Sequence, residues 1–284
     1  MLPLPSFTFT ILDTLAPPLP SAADPSVTLW RDRDGNLSAL SHHHNEERWL
    51  HVLGVASFRL DVEADEVGAV PMGDVSPHQL EDEFQRTVWP AALQLKGWEV
   101  LHASAATTRR GVVALCARSE TGKSTLAFGL GKRGYPLWAD DAVLLSVQKE
   151  ETFTSPLPFY MRLRPASASY FGLSGRELER GRLPCPPERS EHAAETLPLQ
   201  KIYLLEQVPE AVRAVSFRAS SPAEALPDLL QHAIYFSYND PLRKRLMMRH
   251  YLELVTSIPI VKITFRRGLR YVPEILDALE EDMR

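Results

Sequence analysis

The chain has 284 residues, 44% of them hydrophobic and 24% charged, with a net charge of -5. That length can bury a substantial core in one large domain or two, and the acidic balance argues against a protein built chiefly to hold nucleic acid. Two cysteines, Cys116 and Cys185, make no disulfide framework, and no run of about 18 apolar residues is present to cross a membrane. The expectation is a cytoplasmic chain in a reducing compartment, with neither nucleic acid nor membrane as partner.

Taken in order, Met1 to Ala23 ends in small residues but has no basic leader and is cut by prolines, so it does not read as a signal peptide. Residues 5–75 alternate short β-like runs (Phe7 to Leu12, Val27 to Trp30, Trp49 to Val55, Ala56 to Leu60) with Asp-Gly and Pro-rich breaks. His42, His43 and His44 lie in a polar segment without a spaced partner ligand, which reads as an exposed loop and not a metal site. From Ser76-Pro77, apolar residues at Leu80, Phe84, Val88, Ala91, Ala92 and Leu95 predict a helix ending at Gly97, with a kink or break at Pro90. The division expected is a β-rich N-terminal region over 1–78 and a second domain over 79–284.

The second domain opens with Val100 to Ala105, turns at Arg109-Arg110-Gly111, and enters the buried strand Gly111 to Cys116, which predicts a hairpin. The strand runs into Ala117-Arg118-Ser119-Glu120-Thr121-Gly122-Lys123-Ser124-Thr125, and Leu126 to Leu130 continue as a helix. Strand, loop and helix in that order are the context of a phosphate-binding loop. In such a loop backbone N–H groups from Ser119 to Thr125 surround nucleotide phosphates, Lys123 reaches the β/γ oxygens and the Ser124 hydroxyl ligates Mg²⁺. The pattern has glycine at its first position and this chain has Ala117, which is tolerable if the backbone there needs no positive φ.

Asp140-Asp141 lie between the apolar segments Leu137 to Ala139 and Val143 to Val147. Phosphoryl transfer requires metal and a proton acceptor, and two adjacent carboxylates supply both if an extended backbone sends them to opposite sides. Alone, the pair reads as a solvated acidic turn between two strands, and the phosphate loop upstream turns the balance toward the catalytic reading. Residues 176–196, dense in Arg, Glu and Pro, read as a loop or lid. Lys201 to Leu205 and Ile260 to Phe265 read as strands, and Leu226 to Tyr235, Pro241 to Ile258 and Pro273 to Leu279 as helices. The basic group Arg243-Lys244-Arg245 with Arg249 reads as a solvated helix face, the alternative being a surface that receives an acidic peptide or the nucleotide of a neighbouring subunit.

Leu101 to Ala105, Ala117 to Thr125 and Trp138 to Leu145 together resemble, in order and spacing, the C-terminal catalytic domain of HPr kinase/phosphorylase. The whole chain is similar to stand-alone HPr-kinase-like proteins of ribosomal peptide modification, including lasso-peptide tailoring kinases, on Trp89 to Ala105, Arg162 to Pro165 and Pro198 to Leu205. The resemblance implies an α/β, P-loop, PEP-carboxykinase-like catalytic domain with a mixed sheet, preceded by the β-rich region. It also implies an ATP- and Mg²⁺-dependent serine kinase acting on a peptide or small protein. On matching positions Asp140 becomes the general base, Asp141 and Ser124 metal ligands, and His102 a group near the transferred phosphate, the alternative for His102 being a structural histidine at a strand end. Arg162 and Arg164 fall where that family has a Glu-x-Arg-Gly signature, which this chain lacks, Glu179-Arg180-Gly181 being a near miss. The expectation is therefore transfer in the forward direction only. A homo-oligomer is compatible with the family. Two other readings stay open, a small-molecule alcohol kinase and a nucleotide-binding accessory protein that does not turn over.

Overall fold

A computed structural model describes residues 6–31, 34–149, 151–157, 161–173, 183–185, 196–208, 213–236 and 240–284. The chain forms two compact units, one of residues 1–98 with 235–248 and the other of residues 99–234 with 249–284. This differs from the expected division at 78/79 by the helical segment that follows the first sheet and by residues 235–248, which belong to the first unit.

The first unit holds a six-stranded mixed sheet of β1 (Thr8–Ile11), β2 (Thr28–Arg31), β3 (Leu37–His44), β4 (Glu47–Val52), β5 (Ala56–Asp61) and β6 (Glu66–Pro71). Their order is β1-β6-β5-β4-β3-β2, a meander closed by β1 running parallel to β6. Asn45 and Glu46 both have positive φ (49° and 68°), the two-residue geometry that lets β3 turn directly into β4 with matching twist. The histidine run is thus a strand and not a loop. His42 is buried at 7% exposure, while His43 points to solvent as strand alternation requires.

Helix α1 (Pro77–Glu83) starts at a reciprocal capping box between Ser76 and Gln79. It passes through a π-type turn at Phe84–Val88 into α2 (Trp89–Leu95). Pro90 falls in the first turn of α2, where a missing N–H is tolerated, so the break expected there takes the form of the widened turn before it. Phe84 stacks on Phe9 of β1 and on Trp89, with centroids 4.6 and 5.7 Å apart. That apolar contact is why the helical segment belongs with the first unit.

In the second unit the run Val100 to Ala105 is not one strand but two. β7 (Glu99–Leu101) pairs with β11 (Val143–Gln148), whereas β8 (Ala103–Thr108) forms the expected hairpin with β9 (Gly111–Ala117). Next come α3 (Lys123–Lys132), β10 (Leu137–Ala139), β12 (Glu151–Ser155), β13 (Met161–Leu163), α4 (Pro165–Tyr170) and β14 (Leu183–Cys185). After these the chain forms β15 (Leu197–Val208), β16 (Val215–Ala219), α5 (Pro222–Leu230), β17 (Ala233–Ile234), α6 (Pro241–Ser257), β18 (Ile260–Arg266) and α7 (Val272–Met283). The sheet runs β10-β8-β9-β15-β12-β11-β7-β17, with β18 parallel to β15 and β16 antiparallel to β18.

The expected helix at Leu226 to Tyr235 begins earlier, at the Ser221/Glu224 capping box, and ends at Leu230 so that Ala233–Ile234 can pair with β7. Apart from β14, which pairs with β13, the lid expected at 176–196 lies almost wholly outside the described residues, as does Glu179-Arg180-Gly181. Helices α3 and α7 bury Leu126, Leu130, Ile275 and Leu279 among Leu115, Tyr203 and Ile263 of the central strands. A Cβ on Gly129 would sit 2.7 Å from Leu276 Cδ1, so the absence of a side chain there sets how closely α3 and α7 approach.

The architecture is therefore mixed α/β with two mixed sheets. Among the described residues no helix is long and apolar enough to cross a membrane.

Candidate active site

Strand β9 is buried along its whole length and delivers the chain to the loop 117–122. Ala117 is its last residue, paired with Leu205 and not among the residues of positive φ, so a methyl group is accommodated where the motif has glycine. Left-handed backbone falls instead at Glu120 (φ 74°) and Gly122 (φ 104°), the residue preceding α3. Gln207 Nε2 donates to Thr121 O at 2.9 Å and Arg164 Nη2 to Glu120 Oε1 at 2.7 Å, tying the loop to β15 and to the start of α4.

Lys123 is the first residue of α3 and is only 7% exposed. Its Nζ lies 3.2 Å from His102 Nε2 and 4.0 Å from Asp141 Oδ1. His102 occupies the single-residue break between β7 and β8, where its N–H donates to His232 O at 2.7 Å. Its Nδ1 is 3.1 Å from the backbone oxygen of Asp141, which can only accept, so the proton is on Nδ1 and Nε2 accepts from Lys123.

Asp140 follows the last residue of β10 and is 8% exposed. Two hydroxyls converge on its Oδ1: Ser104 Oγ of β8 donates at 2.5 Å and Ser124 Oγ of α3 at 3.0 Å. Burial and the neighbouring Asp141 charge push its carboxyl up to about 6, against the lowering effect of Ser104, Lys123 and Ser124. Asp141 takes up a left-handed φ of 65°, so the two carboxylates are separated by a sharp bend and not by the strand alternation expected from the sequence.

The site thus gathers His102, Lys123, Ser124, Asp140 and Asp141 from three separated stretches of chain. Arg164 joins only through Glu120, while Arg162 is buried in β13, the strand whose Met161 and Leu163 belong to the core under α3. Thr125 faces away from the loop, with its hydroxyl 2.9 Å from that of Ser167 in α4.

Three residues that sequence reasoning did not assign also belong here: Ser104, Gln207 and His232. His232 lies beside His102, Lys123 and Arg118, and burial first, then the electrostatic influence of these neighbours, holds its imidazole down at about 4. Arg118 also donates to Gln231 at 3.1 Å, linking the loop to the turn after α5. A serine inside the otherwise apolar strand Ala103 to Ala106 was the one available signal for Ser104.

The remaining unassigned groups are structural or remote. Cys116 is buried in β9 and its thiol is pushed well up by burial. Arg243 is not part of a solvated face: it is 6% exposed and donates to Gln94 O and Trp98 O at 2.9 and 2.7 Å.

Among the described residues no cluster of three or more His, Cys, Asp or Glu side chains is arranged to hold a metal. A hydroxyl with one or two carboxylates is nonetheless the sparse oxygen set by which Mg²⁺ is held when phosphate oxygens complete its shell. Ser124 offers such a hydroxyl, bonded here to Asp140, and the Asp141 carboxylate lies 4.0 Å from Lys123.

No protein-family model matches the chain, and no curated protein does. Among solved structures it is similar to the HPr(Ser) kinase/phosphatase from Coxiella burnetii, at 15% identity and a TM-score of 0.34 over 64% of this chain and 89% of that chain. At that score the likeness carries no conclusion about activity.

Proposed function

We propose that the second unit is an ATP-dependent phosphotransferase with an alcohol acceptor, and that the acceptor is a serine hydroxyl of a peptide or small protein. The observation that carries the reading is the convergence of Lys123, at the start of a helix that follows a glycine-hinged loop, with the buried carboxylate of Asp140, joined through Ser124. Such a loop with a helix N-terminus attracts phosphate, and a buried carboxylate that ionises near 6 is matched to taking a proton close to neutral pH.

In this mechanism the backbone of Ser119 to Thr125 surrounds the nucleotide phosphates, and Lys123 leaves His102 and Asp141 to bind the β/γ oxygens. Ser124 and Asp141 would hold Mg²⁺, which neutralises charge on the phosphates when bound. Asp140 accepts the proton of the attacking hydroxyl as the new O–P bond forms and ADP departs. His102, held by its two hydrogen bonds, presents Nε2 toward the space that Lys123 occupies. Arg164 is placed to help close the loop through Glu120.

Incubation of the protein with γ-labelled ATP and candidate peptides tests this reading. Label on a peptide serine is expected from the wild type and not from Asp140→Asn, which should still bind ATP. Label on a small alcohol alone supports a small-molecule kinase, and binding without transfer to any acceptor supports a non-catalytic role. Wild-type transfer by Asp140→Asn would remove the mechanism.

A further inference from the structure

Resting on that reading, we propose that Ser104 is a positioning residue for Asp140: from the interior of β8 its hydroxyl fixes Oδ1 and leaves Oδ2 as the oxygen that receives the acceptor's proton. Ser104 and Ser124 both donate to Oδ1, but their situations differ. Ser124 lies in the first turn of α3, next to the phosphate loop, so on the proposed function its hydroxyl is drawn to other partners when nucleotide binds. Ser104 is 0% exposed in a strand paired on one side with β9, where it lies opposite Leu115, and on the other with β10, where Ala105 lies opposite Ala139.

A carboxylate rotates about its terminal torsion in a broad, twofold well, so one oxygen must be fastened for the other to keep a constant direction. The 2.5 Å contact is in the range of short, charge-assisted O–H···O⁻ bonds. Strand β8 also anchors β10, since Ala105 pairs with Ala139, the residue before Asp140. The same strand therefore sets both the backbone and the side chain of the base. Every other buried position from Ala103 to Ala106 is alanine, so the single hydroxyl is unnecessary for packing and needs a partner.

The test compares wild type, Ser104→Ala, Ser104→Thr, Asp140→Asn and the Ser104→Ala/Asp140→Asn double variant as full chains. Three quantities are read: phosphate release from Mg·ATP with water as acceptor, ATP affinity by calorimetry, and the ¹³C carboxyl resonance of Asp140 at pH 8, assigned by its loss in Asp140→Asn. Ser104→Ala is expected to lower kcat about tenfold with KM for ATP within twofold, to displace the Asp140 resonance, and to have no further effect in the Asp140→Asn background. Ser104→Thr keeps the hydroxyl and is expected to restore both kcat and the resonance.

An unmoved resonance in Ser104→Ala, an unchanged kcat, or an equal loss in the Asp140→Asn background would each overturn the proposal. Undiminished phosphate release in Asp140→Asn would instead overturn the role of Asp140 as base, whereas the resonance would still report whether Ser104 fixes its carboxylate.

Discussion

Asp140 is a carboxylate that the fold makes expensive to ionise and that the proposed phosphoryl transfer needs ionised. Its unfolded carboxyl titrates near 3.8 and the folded one near 6, raised by burial and by Asp141. Between those values the folded chain holds a proton that the unfolded chain has released. Stability therefore falls as pH rises through that window, and the deficit persists above it. Asp140→Asn removes the titration and is expected to be more stable than wild type by on the order of 2 kcal/mol at pH 7.5, with the gap closing below pH 4, as urea titrations at the two pH values would read. Turnover should show an acid limb near pH 6, because the protonated carboxyl cannot accept the hydroxyl's proton. Lys123 makes the complementary case. Its charge is held by His102 and Asp141 in readiness for an anion, and Lys123→Ala is expected to weaken ATP binding at least tenfold by calorimetry, since charge-assisted hydrogen bonds contribute about 1.5–3 kcal/mol. These residues were legible in the sequence because each sits at a motif position. Ser104, Gln207 and His232 were not, because nothing in their local sequence says which distant strand or turn will bring them to the loop.

At the scale of elements, the strand β3 shows why local polarity misled. His42, His43 and His44 are polar on paper, yet His42 faces inward beside His51 of β4, with their Nε2 atoms 2.9 Å apart, and His51 Nδ1 is 2.7 Å from Ser57 Oγ of β5. A chain of hydrogen bonds across three strands satisfies the burial of all three, which no window of eleven residues contains. Only one proton fits between the two Nε2 atoms, and burial followed by the His42 charge holds the His51 imidazole down at about 4. In the unfolded chain it titrates near 6.5, so as pH falls from 6.5 toward 4 the unfolded state takes up a proton that the folded state refuses. The first unit should lose on the order of 2 kcal/mol across that range, and His51→Gln, which hydrogen-bonds without titrating, should flatten the dependence of its melting midpoint on pH. The same limit on local reading explains the run Val100 to Ala105. It is apolar except at His102 and Ser104, and only the separate partners of β7 and β8 reveal that the histidine is the break that aims it at Lys123. Elements with strong local signals, the hairpin into β9, α3 and α6, were readable because caps, turns and apolar spacing sufficed.

For the molecule as a whole, connectivity decides what can fold alone. The first unit is discontinuous, since residues 235–248 return to it after the chain has built most of the second, and α6 then runs on through Ser257. No composition shift marks that return. Its chemistry is a set of capped backbone groups: Arg243 donates to Gln94 O and Trp98 O, and Phe236 N donates to Gln94 Oε1 at 2.7 Å. Tyr235 Oη in turn donates to Asp240 O at 3.2 Å. A buried carbonyl left without its donor costs about 1–3 kcal/mol, and Arg243→Leu removes the donor to two of them. In the full chain this variant is expected to lose on the order of 3 kcal/mol in urea unfolding, while Lys244→Leu and Arg245→Leu, whose side chains are exposed, stay within about 0.5 kcal/mol. The same reasoning fixes the behaviour of fragments. Residues 1–98 alone should show no cooperative thermal transition, because the C-terminal end of α2 would leave these carbonyls and the apolar surface under Phe236 open. Joining 235–248 through a flexible linker should restore a transition, and Arg243→Leu in the joined fragment should abolish it again. A cooperative melt from residues 1–98 by themselves would show that the first unit holds together without the returning segment, and that Arg243 belongs to the energetics of α6 alone.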